Sequence, residues 1–177
     1  MFADAITFFD RSHQPYSVRE ASSDDAPEIV RLLTEVGQER RYIANEGEYY
    51  TVDQQRYMLK NRTPGQLILV ALVDNQVMGT LEAIRGTFMK NRHVATMGMA
   101  LEAGFRGSGR GSGLLEILER WAKQLGISKI AISVFESNQP AIRFYQRHGF
   151  VMEGSRPNQF YIEGRMVSEV FMGRYLS

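Results

Sequence analysis

The sequence predicts one mixed α/β domain whose sheet contains a parallel strand pair. Three observations carry this reading. Its 177 residues, 44% of them hydrophobic, suit one ordinary globular unit with a real core. Strand-like runs and amphipathic helical runs succeed one another with no internal repeat and no linker. Residues 93–135 read as strand, glycine loop, helix and strand, an order that requires a parallel crossover.

Residues 1–14 precede the first clear pattern and read as an extension, so the domain is expected over 15–177. Residues 16–20 alternate as a short strand. Ser22 and Ser23 offer N-caps, Asp24 and Asp25 suit a first turn, and Ile29, Val30, Leu33 and Val36 form a helical stripe that Gly37 is expected to break. The stretch 39–50 is charged and aromatic without a clean period, and Thr51 with Gln54 forms a capping box that opens a second helix. Gln66–Val73 and Gln76–Arg85, joined at Asp74-Asn75, read as a hairpin.

After a polar loop at 86–92, residues 93–102 form a strand that feeds a glycine run. Leu115, Leu118, Trp121, Ala122 and Leu125 then repeat at helical spacing up to Gly126. Lys129–Phe135 is almost wholly apolar and β-branched, as expected of a strand covered on both faces. Asn138-Gln-Pro140 starts a short helix ending at Gly149, and 150–155 with 167–175 read as a closing strand pair.

Composition removes several classes of function. Net charge is +1 with scattered basic residues, which argues against a nucleic-acid footprint. Without cysteine there is no disulfide, thiolate metal site or acyl-cysteine chemistry. The three histidines, His13, His93 and His148, lack ligand spacing, so no metal is expected. The longest apolar run, Leu67 to Val73, is too short to span a bilayer, and the N-terminus lacks a basic signal region, so a cytoplasmic location is expected.

The run Phe105-Arg106-Gly107-Ser108-Gly109-Arg110-Gly111-Ser112-Gly113 places glycine at every second position before an amphipathic helix. Glycine allows close backbone approach, and a helix N-terminus presents unpaired amides with partial positive charge. Together these describe a phosphate cradle. The run fails the dinucleotide pattern, because Ser112 or Leu114 stands where the third glycine is required. It also fails the P-loop pattern, because Arg110-Gly111 stands where lysine and a hydroxyl are required. What remains is Arg-x-x-Gly-x-Gly, read at Arg106, Gly109 and Gly111.

A second motif follows at Asn138, Ala141, Ile142, Phe144, Tyr145, Gly149 and Phe150. In order and separation the two motifs resemble the GNAT acetyltransferase superfamily. Glu153-Gly154, Gly164 and Met172-Gly-Arg resemble its bacterial branch of amino-acid, phosphinothricin and ribosomal-protein acetyltransferases. The resemblance covers the chain from about Tyr16 onward. It implies a mixed, mostly antiparallel sheet with helices on both faces and a splayed parallel strand pair. It also implies acetyl-coenzyme A as cosubstrate.

The resemblance assigns main-chain contacts with the pantetheine arm to Met99 and Leu101, with an amide near Met99 polarising the thioester carbonyl. It assigns the pyrophosphate to the amides of Gly107, Ser108, Gly109, Arg110, Gly111 and Ser112, with the Arg106 and Arg110 side chains as secondary charge partners. Gly113 reads as a close helix contact instead. Tyr145 corresponds to the general acid that protonates the departing thiolate, while Phe144 is the better core candidate. Asn138 caps its helix, contacts the cofactor, or does both.

The acceptor half is less defined. Glu82 and His93 are the candidate general bases, and Thr96 stands where several relatives carry an acidic residue. Glu46 and Glu48 lie in a variable segment and either recognise a cationic acceptor or face water. The expected reaction is direct attack by a primary amine in a ternary complex, the amine entering past 39–50, 86–92 and 157–164. A small amine or amino acid is the first choice of acceptor. A protein N-terminus or aminoglycoside-like drug, or a non-catalytic acyl-coenzyme A sensor, are the alternatives, and a homodimer is compatible with the resemblance. A generic nucleotide-binding protein would accept ATP or a dinucleotide equally well.

Overall fold

A computed structural model describes residues 4–47 and 50–177. Glu48 and the first three residues of the expected extension lie outside the described residues. The strands are β1 (Ile6–Phe9), β2 (Pro15–Glu20), β3 (Gln66–Val73), β4 (Gln76–Arg85), β5 (Val94–Leu101), β6 (Lys129–Phe135), β7 (Val151–Ile162) and β8 (Arg165–Tyr175). The helices are α1 (Ala26–Gln38), α2 (Val52–Lys60), α3 (Gly111–Gln124) and α4 (Gln139–Arg147). One eight-stranded sheet runs in the order β1-β2-β3-β4-β5-β6-β8-β7.

Every neighbouring pair is antiparallel except β5 and β6, the pair joined by the α3 crossover. Alternation along the strands divides the core between the two sheet faces. On one face Leu67, Leu69, Leu81, Ala83, Ala95 and Met97 pack with Leu114, Leu118 and Trp121 of α3. On the other, Ile68, Val70 and Leu72 pack with Ile29, Leu32 and Val36 of α1 and Leu59 of α2.

Local chemistry explains the helix and turn boundaries. Ser22 and Asp25 form a reciprocal capping box ahead of α1, and Thr51 and Gln54 form one at α2. Asp74 and Asn75 both take positive φ, +49° and +65°, the conformation that matches a two-residue hairpin turn to strand twist.

Four expectations are corrected. Residues 6–9 of the expected extension form the edge strand β1, paired with β2 through Ile6–Val18 and Phe8–Tyr16. Gly37 lies inside α1 and serves a close approach, since a Cβ there would meet the Asn45 carbonyl oxygen at 2.7 Å. The expected connection at 157–164 is strand β7 as far as Ile162, with an irregular register between Arg156 and Phe160. Pro157 lacks an amide donor, and an edge strand tolerates that loss at a bulge. Finally, β6 is not covered on both faces. Ser133 is exposed and Ala131 half-buried, because the strand borders an open cleft.

Candidate active site

The cleft begins where the parallel pair comes apart. β5 and β6 pair only at Val94–Lys129, Ala95–Ile130 and Thr96–Ala131, yet β5 runs on to Leu101 and β6 to Phe135. Beyond Thr96 the facing strand edges have no partner strand, and a cleft of about 710 Å³ opens between them. Its walls are residues 97–101 of β5, residues 132–135 of β6, the glycine loop and the inner face of α4. Tyr42, Ile43, Phe160 and Glu169 line it as well.

The glycine loop closes one end. Gly107 and Gly109 take φ of +76° and +89°, a left-handed conformation that glycine adopts without a Cβ penalty. Among the described residues, no amide from 107 to 111 donates to a protein acceptor. The Ser112 amide donates to the Gly109 carbonyl at 3.1 Å and the Gly113 amide to the Tyr16 hydroxyl at 3.1 Å. No side chain caps α3 at its N-cap, Arg110. Gly107, Gly109, Arg110 and Gly111 line the cleft, so the loop presents uncapped donors at a helix start.

Side chains of the loop are already engaged. Arg106 Nε donates to the Leu101 carbonyl at 2.8 Å, its Nη1 donates to Glu39 Oε2 at 2.8 Å, and its guanidinium stacks 4.2 Å above the Tyr42 ring. Hydrogen bonding to Arg106 lowers the Glu39 pKa. Arg110 Nε donates to Asp10 Oδ2 at 3.0 Å. Amides of Gln14 and Ser12 help Arg110 hold the Asp10 carboxyl ionised, against the desolvation that opposes it. Ser108 Oγ donates to the Phe105 carbonyl, and Ser112 Oγ bonds His148 Nε2. Gly113 is the close helix contact the sequence indicated, since a Cβ would meet the Tyr16 hydroxyl at 2.7 Å and Phe8 at 2.9 Å.

Tyr145 packs its ring edge-on between Phe144 and Phe150 and lines the cleft. Burial raises its pKa, so it remains a neutral phenol. Asn138 Oδ1 accepts from the Ala141 amide at 3.3 Å, capping α4, and also lines the cleft. Met99 and Leu101 line it too, although the Leu101 carbonyl already accepts from Arg106.

The expected bases are spread out. Glu82 pairs in register with Gly98 and Ile68, which puts it on the sheet face that carries α1 and α2. It reaches solvent, yet the surrounding protein desolvates its carboxyl and raises its pKa. A Cβ built on Gly98 would meet nothing within 4 Å, so open space adjoins Glu82 beside the cleft. His93 is exposed just before β5, away from the cleft lining, and its carbonyl accepts from the Ser128 and Lys129 amides. Thr96 is exposed at the apex of the splay, and Glu46 is exposed in the loop after α1.

Sequence reading missed Arg11 and Glu169. Among the described residues Glu169 is the one carboxylate lining the cleft, and it accepts from Arg156 Nη1 at 3.0 Å. Its place opposite Phe135 follows from the β6–β8 register, which no local pattern encodes.

A family model described as Acetyltransferase (GNAT) family matches residues 28–150. The chain belongs to the GNAT acetyltransferase family. The matched span holds the glycine loop, the splayed pair and α4, and it leaves β1 and β2 outside. The chain is 31% identical over 112 residues to L-amino acid N-acetyltransferase AaaT of Escherichia coli (strain K12), covering 63% of this chain and 69% of that one. An acetyltransferase of the GNAT family from Streptococcus pneumoniae superposes with TM-score 0.85 at 28% identity, over 92% of this chain and 99% of that one. The GNAT superfamily phosphinothricin acetyltransferase of Sinorhizobium meliloti, solved in complex with acetyl-coenzyme A, shares the fold at TM-score 0.82 and 21% identity, over 92% and 89% of the chains. As a GNAT N-acetyltransferase the chain has the mixed, mostly antiparallel sheet and the splayed parallel pair that the resemblance implied. No helix among the described residues is long and apolar enough to cross a membrane.

Proposed function

We propose that the cleft binds acetyl-coenzyme A and transfers its acetyl group to the primary amine of a small molecule or amino acid, by direct attack in a ternary complex. The observation that carries this reading is the set of unpartnered amides at 107–111, set at one end of a cleft walled by two unpaired strand edges. The amides suit a diphosphate, and the strand edges suit the amide-bearing pantetheine arm. The Sinorhizobium meliloti neighbour's complex with acetyl-coenzyme A and the amino-acid acetyltransferase relative support both halves.

In this account the diphosphate rests on the backbone of residues 107–111, and the arm runs along Met99 and Leu101 towards the apex. An amide near Met99 stabilises the oxyanion that forms when the amine attacks the thioester carbonyl. Glu82, with its raised pKa, accepts the ammonium proton through water at neutral pH. As the intermediate collapses, the C–S bond breaks, the Tyr145 hydroxyl gives its proton to the departing sulfur, and the proton shed by the new amide nitrogen restores the phenol. With no cysteine in the chain, the acetyl group passes directly from sulfur to nitrogen.

Binding competition tests the donor half. Coenzyme A is expected to bind by calorimetry and to resist displacement by ATP or a dinucleotide. Equal competition by ATP would overturn the assignment.

A further inference from the structure

We infer that Arg11, in the turn between β1 and β2, is a cationic contact for the diphosphate of coenzyme A, contributed by a hairpin outside the matched family span. The inference rests on the proposed donor assignment and extends it to a residue that no motif marks. The hairpin is built onto the glycine loop at several points. The Arg11 amide donates to the Ser108 carbonyl at 3.0 Å, and Asp10 pairs with Arg110. Tyr16 accepts from the Gly113 amide, and Phe8 packs where a Gly113 Cβ would stand.

The turn itself is well determined. Asp10 Oδ1 accepts from the Ser12 and Gln14 amides at 2.8 and 2.9 Å, and the Asp10 amide donates to the Gln14 carbonyl at 3.0 Å. This fixes the backbone from which Arg11 projects. Its side chain lies across Gly109, with Cγ 3.2 Å and Nε 3.3 Å from the position a Cβ would take there. Arg11 lines the same cleft as Gly107, Gly109 and Gly111.

Its charge sets Arg11 apart from the loop's own arginines. Arg106 and Arg110, the loop's own arginines, are neutralised by Glu39 and Asp10. Arg11 has no carboxylate partner among the described residues, so it brings an uncompensated positive charge to the amides of 107–111. Arg143 and Arg147, one turn apart on α4, also line the cleft without a carboxylate partner among the described residues. They lie on the wall formed by α4, whereas Arg11 lies over the loop. A guanidinium there makes charge-assisted hydrogen bonds to phosphate oxygens.

The test compares donors that differ in their phosphates. Arg11→Ala is expected to raise KM for acetyl-coenzyme A about tenfold and leave kcat within twofold, with Arg11→Lys recovering part of the loss. The deficit should persist with the 3′-dephospho donor and vanish with acetyl-pantetheine, which has no diphosphate. The exposed Arg11 side chain carries none of the hairpin's backbone bonds, so the melting temperature should not move. An unchanged KM, a deficit equal with acetyl-pantetheine, or a deficit lost with the 3′-dephospho donor would each overturn the inference. A wild-type protein that fails to bind coenzyme A would instead overturn the donor assignment itself.

Discussion

Arg106 Nη1 donates to Glu39 Oε2 at 2.8 Å, joining the start of the glycine loop to the residue that follows α1. The same guanidinium covers the Tyr42 ring and holds the Leu101 carbonyl. One side chain therefore ties the donor loop, the end of β5 and the acceptor-side segment together.

Removing this tie should affect both substrates. Glu39→Ala is expected to raise KM for acetyl-coenzyme A and for the amine severalfold each. Both partners are partly exposed, so the stability loss should be only about 1 kcal/mol by urea denaturation. A gain in coenzyme A affinity would show instead that Glu39 competes with phosphate for Arg106.

Glu82 should impose an acidic limb on the rate. Desolvation raises its pKa, so the carboxyl protonates at a pH above the usual carboxylate range and loses its capacity as a base there. kcat/KM should rise with pH through that value and then level. Glu82→Gln should remove the limb and lower turnover about a hundredfold. A variant that keeps the wild-type profile would exclude Glu82 as the base.

Tyr145→Phe should separate chemistry from binding. Burial keeps the phenol protonated across the working pH range, so Tyr145 adds no basic limb of its own. Turnover is expected to fall at least tenfold while the dissociation constant of coenzyme A stays within twofold. Unchanged turnover would remove Tyr145 from the mechanism.

Acid stability should depend on Asp25. Burial opposes its charge, but bonds from both Arg19 Nη atoms and the Ser22 amide outweigh that and hold its pKa below the usual value. A carboxyl depressed in the folded state contributes stability above its unfolded pKa and loses it as pH falls through the folded value. Asp25→Asn should cost roughly 2 kcal/mol at pH 7 and make denaturation midpoints less sensitive to acid.

Much of this was legible because it is local. The Asp74-Asn75 hairpin, the N-cap at Ser22, the capping box at Thr51 and the glycine run are each encoded within a few residues. Gly113 was readable as a packing glycine, though not its contacts with Phe8 and Tyr16. What escaped is set by distant chain segments. Ile6–Phe9 was too short to signal a strand, and only pairing with β2 reveals it. The pairing of Asp10 with Arg110 and of Glu39 with Arg106 joins residues far apart in sequence, so the loop arginines looked available when they are neutralised. Glu169 reaches the cleft through a strand register that its own neighbourhood does not fix.

The central claim is that this cleft passes an acetyl group from coenzyme A to an amine. Free thiol released from acetyl-coenzyme A, measured with the purified protein across a panel of amino acids and other small amines, tests it most directly. The account predicts release that depends on at least one amine, with stoichiometric N-acetyl product. Tight coenzyme A binding with no amine-dependent release across the panel would contradict it and indicate a sensor.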